Sequence, residues 1–109
     1  MKGIGIDLLC MKRFAEFVNR RGIEKVAKRI LSSSEIETLN EEKDKINFLA
    51  TRFSVKEAAY KAFYPKELTW KDISVVKRNG KPFLLLDGQE YCVSISHESN
   101  FMVSVVAYF

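Results

Sequence analysis

A change of hydrophobic period near Trp70 constrains the fold of this chain more than any other feature of its sequence. Before Trp70, apolar residues recur at helical spacing, whereas after it they alternate with polar residues. The alternating part is divided by Asn79-Gly80 and Asp87-Gly88, two dipeptides typical of tight turns between antiparallel strands. The sequence therefore predicts an α+β protein, with helices first and a mainly antiparallel sheet after them.

The same periodicities predict the individual elements. Helical spacing marks short segments at 11–19, 23–31 and 32–39 and a long one at 46–63. Ser32 and Glu35 form a capping-box pattern at the start of the third segment, and Pro65 ends the fourth. Alternation predicts an N-terminal strand at 3–9 and further strands at 73–77, 82–86, 91–96 and 101–109.

Length and composition indicate one globular domain, residues 1–109. The chain is 47% hydrophobic and 29% charged, which is far from a disordered composition. No apolar run approaches the roughly 20 residues of a membrane span, and the N-terminal residues do not resemble a signal peptide. We therefore expect a cytoplasmic protein with no membrane partner. Cys10 and Cys92 lack metal-site spacing and are expected to be small buried residues.

A few polar residues stand in apolar or strand-like surroundings. Asp7 is near the end of the first strand, Glu57 is inside the long apolar helix, and His97 is where a later strand breaks. Each has a simpler interpretation: Glu57 could form an ion pair with Lys61 four residues later, Asp7 could cap the next helix, and His97 could be a surface residue. Two neighbouring carboxylates without histidine or thiolate would instead favour Mg²⁺ over zinc.

Positive charge is concentrated in the first third of the chain. The net charge of the chain, +4, is modest, but seven basic residues form a cluster on or between the first two predicted helices: Lys12, Arg13, Arg20, Arg21, Lys25, Lys28 and Arg29. Such a cluster favours encounter with an acidic protein, a nucleic acid or an anionic membrane, or it is simply a solvated helix surface.

Four segments carry a resemblance to a known family. GIGIDLL, FLATRFSVKEAAYKAF, NGKPFL and VSISHES follow one another from the N-terminus to near the C-terminus. In this order they resemble the bacterial holo-acyl-carrier-protein synthases of the 4'-phosphopantetheinyl transferase superfamily, and the RF..KEA..KA and SISH blocks are the most specific. The resemblance implies the 4'-phosphopantetheinyl transferase fold. It also implies the transfer of 4'-phosphopantetheine from coenzyme A to a serine of apo acyl carrier protein. It further implies that the reaction serves fatty acid biosynthesis and releases adenosine 3',5'-bisphosphate.

The resemblance also implies roles for the polar residues. Asp7 and Glu57 are expected to hold Mg²⁺ together with the coenzyme A pyrophosphate and water, since that ion usually takes only one or two protein carboxylates. Lys61 is expected to neutralise charge on the pyrophosphate or to protonate the leaving group. Further contacts to coenzyme A are expected from phosphate-binding residues and from the hairpin turn at its adenine end: Arg52, His97, Asn79, Gly80, Lys81 and Pro82.

The implied protein partner is acidic acyl carrier protein, and the implied assembly is a homotrimer with sites between protomers. Arg13 is the best-matched docking residue, and the other candidates lie on or between the first two predicted helices: Arg20, Arg21, Lys25 and Arg29. One departure concerns residues 64–68, which replace a usually glycine-rich segment after the long helix. The shape of the pantetheine end of the site is therefore left open.

Other functions remain alternatives. A related transferase could serve carrier domains of secondary metabolism, although the short length favours the fatty-acid type. A small basic RNA-binding domain is disfavoured because the aromatic residues have the spacing of a helical core: Phe48, Phe53, Tyr60 and Phe63. We therefore expect no nucleic-acid partner. An inactive binding module would have no reason to keep Asp7, Glu57 and Lys61 together.

Overall fold

The structure, a computed structural model, describes all residues from Met1 to Phe109. The N-terminal half contains a strand and four α-helices: β1 Gly3–Cys10, α1 Met11–Arg21, α2 Ile23–Ile30, α3 Ser33–Glu41 and α4 Lys45–Phe63. A short 3-10 turn at Trp70–Asp72 then leads into the remaining strands: β2 Ile73–Arg78, β3 Lys81–Leu86, β4 Gln89–Glu98 and β5 Phe101–Tyr108. The α+β prediction and each predicted element are confirmed. No helix is both long and apolar enough to span a bilayer.

All five strands form one antiparallel sheet in the order β1-β5-β4-β3-β2. The strands after Trp70 are joined by tight hairpins, and Asn79 and Gly80 both have positive φ in the first of them. The N-terminal strand joins this sheet at its edge by pairing with β5, so that Asp7 lies opposite Ser104. The first and last parts of the chain are therefore held together in one sheet.

Helix α4 is the central element of the core. Apolar residues surround it on almost every side, which is typical of a buried helix. Its N-terminal half packs with the other helices in a first cluster that includes Phe48 and Leu49. Its C-terminal half packs on the sheet in a second cluster that includes Val55, Ala58 and Ala62. Because of this position, the polar residues of α4 lie close to both the other helices and the sheet.

Two glycines bring β1 directly onto α4. A Cβ atom on Gly5 would clash with the backbone carbonyl of Ala58, and one on Gly3 would clash with that of Ala62. Two residues of a strand advance about 6.7 Å and four residues of a helix about 6 Å, so the two elements stay in step. The next pair in this series is Asp7 and Ser54, which are hydrogen-bonded. The glycines thus place the Asp7 carboxylate against the helix.

Replacing Gly5 with alanine is expected to lower the free energy of unfolding by on the order of 1–3 kcal/mol, because the added methyl group forces β1 away from α4. Urea denaturation of the variant measures this loss. Gly3→Ala should produce a similar loss at the contact with Ala62. Gly22, by contrast, has open space around it and takes no part in the packing of β1 on α4. A Gly5→Ala loss below about 0.5 kcal/mol, the usual scale of surface substitutions, would contradict the close approach.

Some burial predictions are wrong. Cys92 is exposed and Cys10 is only partly buried. Cys92 lies on the sheet face away from α4, whereas its neighbour Val93 faces the core, because successive side chains of a strand point to opposite faces. Tyr60 is 46% exposed although its helix is largely buried. It follows Ala58 and Ala59, which make the contact with the core.

Candidate active site

Asp7 and Glu57 lie close together where β1 crosses α4. Ser54 Oγ donates a hydrogen bond of 2.9 Å to Asp7 Oδ2, which fixes that carboxylate against the helix. Burial raises the pKa of Glu57, the Asp7 charge raises it further, and the positive charge of Lys61 opposes both effects. Asp7 does not cap helix α1, because the N-cap position of that helix is occupied by Cys10.

The donor set suits a hard cation that is only partly held by protein. Glu57 is a half-buried carboxylate beside a second carboxylate, and like charges in this arrangement need a shared cation or proton. No group of three or more metal-binding side chains is present. Zinc sites need three or four such ligands, whereas Mg²⁺ keeps several water or phosphate ligands. Asp7 and Glu57 fit that second kind of site.

Lys61 does not form the ion pair with Glu57 that its spacing suggests. None of the ion pairs in the structure joins these two residues. The Lys61 ammonium instead donates a hydrogen bond of 2.8 Å to the carbonyl oxygen of Ile6. That carbonyl immediately precedes Asp7, so Lys61 is oriented by strand β1 and not by Glu57. The exposed ammonium remains beside the two carboxylates.

A separate cavity of about 500 Å³ brings together most of the residues predicted to bind coenzyme A. It lies between the N-terminal half of α4 and strands β2 to β4, and five predicted residues line it: Arg52, Gly80, Lys81, Pro82 and His97. Asn79 is not among its lining residues, although it shapes the hairpin with a φ of 53°. His97 is the penultimate residue of β4 and is exposed. Four further polar residues line the cavity: Asn47, Thr51, Lys77 and Ser94.

Arg52 is the most deeply buried cation of this cavity. Its side chain is only 7% exposed, and its guanidinium carbon lies 3.7 Å from the centre of the Phe48 ring. Burial lowers the pKa of Arg52, while the charges of Glu35 and Glu42 oppose that effect. Neither carboxylate forms an ion pair with it. The cavity therefore contains a desolvated positive charge suited to an anionic ligand.

Glu57 opens onto a different surface. Neither Asp7 nor Glu57 lines the large cavity, and Lys61 does not line it either. Glu57 instead lies in a mostly apolar groove of about 330 Å³ with residues of α1, α2, α4 and the turn before β2: Phe17, Val26, Arg29, Ile30, Phe53 and Trp70. A single chain thus keeps its predicted phosphate-binding cavity apart from its predicted metal ligands.

The basic residues of α1 and α2 continue this groove. A second groove of about 340 Å³ shares Phe17, Val26 and Arg29 with the first and adds further basic residues: Arg21, Lys25 and Lys28. Three of the predicted docking residues are therefore contiguous with Glu57. Arg13 lies in the first turn of α1, where its hydrogen bonds lower the pKa of the Cys10 thiol. Neither groove includes Arg13 or Arg20.

A buried ion pair that the sequence did not predict lies next to Glu57 in helix α4. Lys56 Nζ lies 2.6 Å from Glu35 Oε1, and the two side chains are 0% and 3% exposed. The ammonium also donates to the carbonyl oxygens of Ile30 at 2.7 Å and Trp70 at 3.0 Å. Glu35 completes the predicted capping box and also accepts a hydrogen bond from the Val75 amide. Lys56, like Glu57, is a charged residue inside an apolar helix, so the sequence carried the same kind of signal for both.

Known proteins resemble this chain in sequence and in fold. The family model described as the 4'-phosphopantetheinyl transferase superfamily matches residues 3–106. A holo-[acyl-carrier-protein] synthase of Bacillus subtilis is 38% identical, with 95% of this chain and 92% of the relative covered.

Solved structures agree with this. A holo-[acyl-carrier-protein] synthase of Neisseria meningitidis matches with a TM-score of 0.86 and 25% identity, covering 97% of this chain and 96% of that one. One from Bacillus anthracis, in complex with CoA (3',5'-ADP), matches with a TM-score of 0.79 and 34% identity, covering 96% and 93%. The sequence, the fold and the paired carboxylates thus agree, and the chain belongs to the 4'-phosphopantetheinyl transferase superfamily.

Proposed function

We propose that this chain transfers the 4'-phosphopantetheine group of coenzyme A to a serine of apo acyl carrier protein. The observation that carries the proposal is the close pairing of Asp7 and Glu57, with the Lys61 ammonium held beside them. Residues 1–109 act as a single transferase domain, and we place the reaction in the cytoplasm and in fatty acid biosynthesis. The similarity to holo-[acyl-carrier-protein] synthases supports this function.

In the reaction, the serine oxygen bonds to the phosphorus that carries pantetheine, and the bond from that phosphorus to the bridging oxygen breaks. Adenosine 3',5'-bisphosphate leaves with the electron pair of that bond. Asp7 and Glu57 would hold Mg²⁺, which when bound neutralises charge on the pyrophosphate. The Lys61 ammonium, oriented by the Ile6 carbonyl, can neutralise the charge that grows on the leaving oxygen or donate a proton to it. A water held by Asp7 or Glu57 can remove the serine proton.

We further propose that coenzyme A binds the large cavity through its charged end. Arg52, Lys81 and His97 supply positive charge or hydrogen bonds for phosphate, and the turn around Gly80 and Pro82 lines the adenine end. The positive φ of Asn79 and Gly80 gives that turn its shape. Positioning of the phosphates is central, because phosphoryl transfer depends on orientation and charge stabilisation more than on covalent chemistry.

The active protein is proposed to be a homotrimer with sites between protomers. Ile4, Ile6 and Leu8 lie on the β1 face away from α4 and are 59%, 58% and 65% exposed. With Val103 and Val105 of β5 opposite them, they form an apolar strip that a monomer would leave in water. A second copy would cover the strip, and its cavity could complete the site around Asp7 and Glu57.

Replacing Ile6 with lysine is expected to produce a monomer with little activity, because a charged side chain cannot be buried in the apolar interface. Sedimentation velocity measures the assembly, and the transfer assay measures activity. Thr38→Lys, on the exposed surface of α3, is the control and should leave both unchanged. A fully active monomeric Ile6→Lys protein would contradict the proposed shared site.

We propose that acyl carrier protein docks on the basic face of α1 and α2. Arg21, Lys25 and Arg29 line grooves that lead to Glu57, so a carrier bound there would present its serine near the carboxylates. Arg13 and Arg20 lie on α1, outside these grooves, and can attract the acidic carrier at longer range. Phe17 and Val26, which line both grooves, provide apolar contacts for the carrier.

Reversing charge at Arg13 or Arg21 is expected to raise the apparent KM for the carrier by roughly tenfold and to reduce its salt dependence, because surface charges act mainly on encounter. The KM for coenzyme A should stay nearly unchanged. Initial rates at several salt concentrations measure both values, with Lys43→Glu as a control outside the two helices. A loss of coenzyme A affinity instead would assign the basic helices to the cofactor site.

The proposed function is tested by incubating the protein with coenzyme A, Mg²⁺ and apo acyl carrier protein. Mass spectrometry should show the added phosphopantetheine group on the carrier and adenosine 3',5'-bisphosphate in solution. Carrier domains from fatty acid synthesis and from secondary metabolism are compared at equal concentration, and faster transfer to the former is expected. Absence of any mass gain with every carrier would overturn the assignment.

A further inference from the structure

The buried guanidinium of Arg52 is held by two neighbours on its own helix. NH1 of Arg52 donates a hydrogen bond of 2.9 Å to Thr51 Oγ1, and the same hydroxyl donates one of 2.8 Å to the Phe48 carbonyl. The Phe48 ring packs against the guanidinium plane at 3.7 Å. Because the Thr51 hydroxyl is fixed as a donor to the backbone, its lone pair is fixed as an acceptor for Arg52.

The rest of the guanidinium is unsatisfied within the chain. Its Nε is buried without a hydrogen-bond partner, and no carboxylate forms an ion pair with it. The one buried carboxylate, Glu35, is paired with Lys56. A desolvated guanidinium without an anion is costly, and its remaining N–H groups suit the oxygens of a phosphate. The other lysine and arginine cations of the cavity, Lys77 and Lys81, are both exposed.

We propose that Thr51 is a positioning residue for phosphate recognition in the large cavity. Its hydroxyl occupies one N–H group of Arg52 and thereby fixes the direction of the others, which bind a phosphate of adenosine 3',5'-bisphosphate. This inference rests on the proposed function, because that nucleotide is the product of the proposed reaction. An arginine fixed before binding loses less conformational freedom when the ligand arrives, and this raises affinity.

Calorimetric binding of adenosine 3',5'-bisphosphate tests the inference in a double-mutant cycle. Thr51→Val keeps the shape of the side chain and removes the hydroxyl, and it is expected to raise Kd about tenfold, the scale of one hydrogen bond to a charged group. Thr51→Ser keeps the hydroxyl and should bind within about twofold of the original protein. In an Arg52→Gln background, Thr51→Val should change Kd by less than about twofold, because the group it positions is absent.

Thr51→Ala is a second variant that also lacks the hydroxyl, so the result does not depend on how valine packs. Thermal melts identify any variant that is not folded. The inference is overturned if both hydroxyl-free variants bind normally, if Thr51→Ser is as weak as Thr51→Val, or if the loss is the same in the Arg52→Gln background. A protein that transfers phosphopantetheine but shows one of these results overturns the role of Thr51 alone. A protein that neither binds the nucleotide nor transfers the group overturns both proposals.

Discussion

Replacing Glu57 with glutamine is expected to lower the rate of phosphopantetheine transfer by roughly 100-fold or more, with partial recovery at high Mg²⁺ concentration. The amide keeps the size of the side chain but removes one of the two charges that would hold the ion, and even indirect changes at metal sites cost about 10- to 100-fold. Asp7→Asn should have the same effect, because the same ion is proposed to need both carboxylates. Turnover measured against Mg²⁺ concentration provides the test.

The stability of these variants separates a metal ligand from a structural ion pair. Burial and Asp7 already make the ionised form of Glu57 unfavourable, and Lys61 is not in an ion pair with it. Glu57→Gln is therefore expected to melt at the same temperature as the original metal-free protein or at a higher one. Lys61→Ala is the matched control on the same helix: it should lower turnover while the Mg²⁺ dependence is kept. Fully active but less stable Glu57→Gln and Asp7→Asn proteins would contradict the metal site.

Local patterns in the sequence predicted the elements, and charges in apolar segments predicted much of the candidate site. Asp7 and Glu57 stood out because each interrupts an apolar segment, and the Asn79-Gly80 turn is recognisable from two residues alone. The packing of β1 on α4 brings the two carboxylates together, and the only local sign of that contact is Gly3 and Gly5. Glycine at alternate strand positions is a weak signal until the helix that needs the space is known.

The partners of charged groups could not be predicted because they depend on contacts between distant segments. Lys61 had a suitable partner four residues away, yet it bonds the carbonyl of Ile6, 55 positions earlier. Glu35 had a complete local role in the capping box, yet it also pairs with Lys56, 21 positions later. The exposure of Cys92 follows from the sheet face on which the register places it. Each of these outcomes depends on how elements pack and not on local spacing.

The pairing of Lys56 with Glu35 connects the candidate active site to the rest of the core. Through its hydrogen bonds to Ile30 and Trp70, the Lys56 ammonium ties α4 to the end of α2 and to the turn before β2. Ile30 and Trp70 both line the groove that contains Glu57. Burial lowers the pKa of Lys56 although the Glu35 charge acts in the opposite direction, so desolvation of the ammonium is not fully offset.

Replacing Lys56 with methionine is accordingly expected to lower the free energy of unfolding by about 3–5 kcal/mol, because it leaves the Glu35 carboxylate buried without its cation. Urea denaturation measures the loss. The double variant with Glu35→Gln should recover part of it, since a neutral amide needs no cation and can still accept a hydrogen bond from the Val75 or Ser32 amide. Lys43→Met, which removes an exposed lysine two residues before the same helix, is the control and should change stability by less than about 0.5 kcal/mol. A Lys56→Met protein within about 1 kcal/mol of the original, or a double variant less stable than Lys56→Met alone, would show that the pair does not hold α4 in place. Apolar packing alone would then determine the shape of the groove at Glu57.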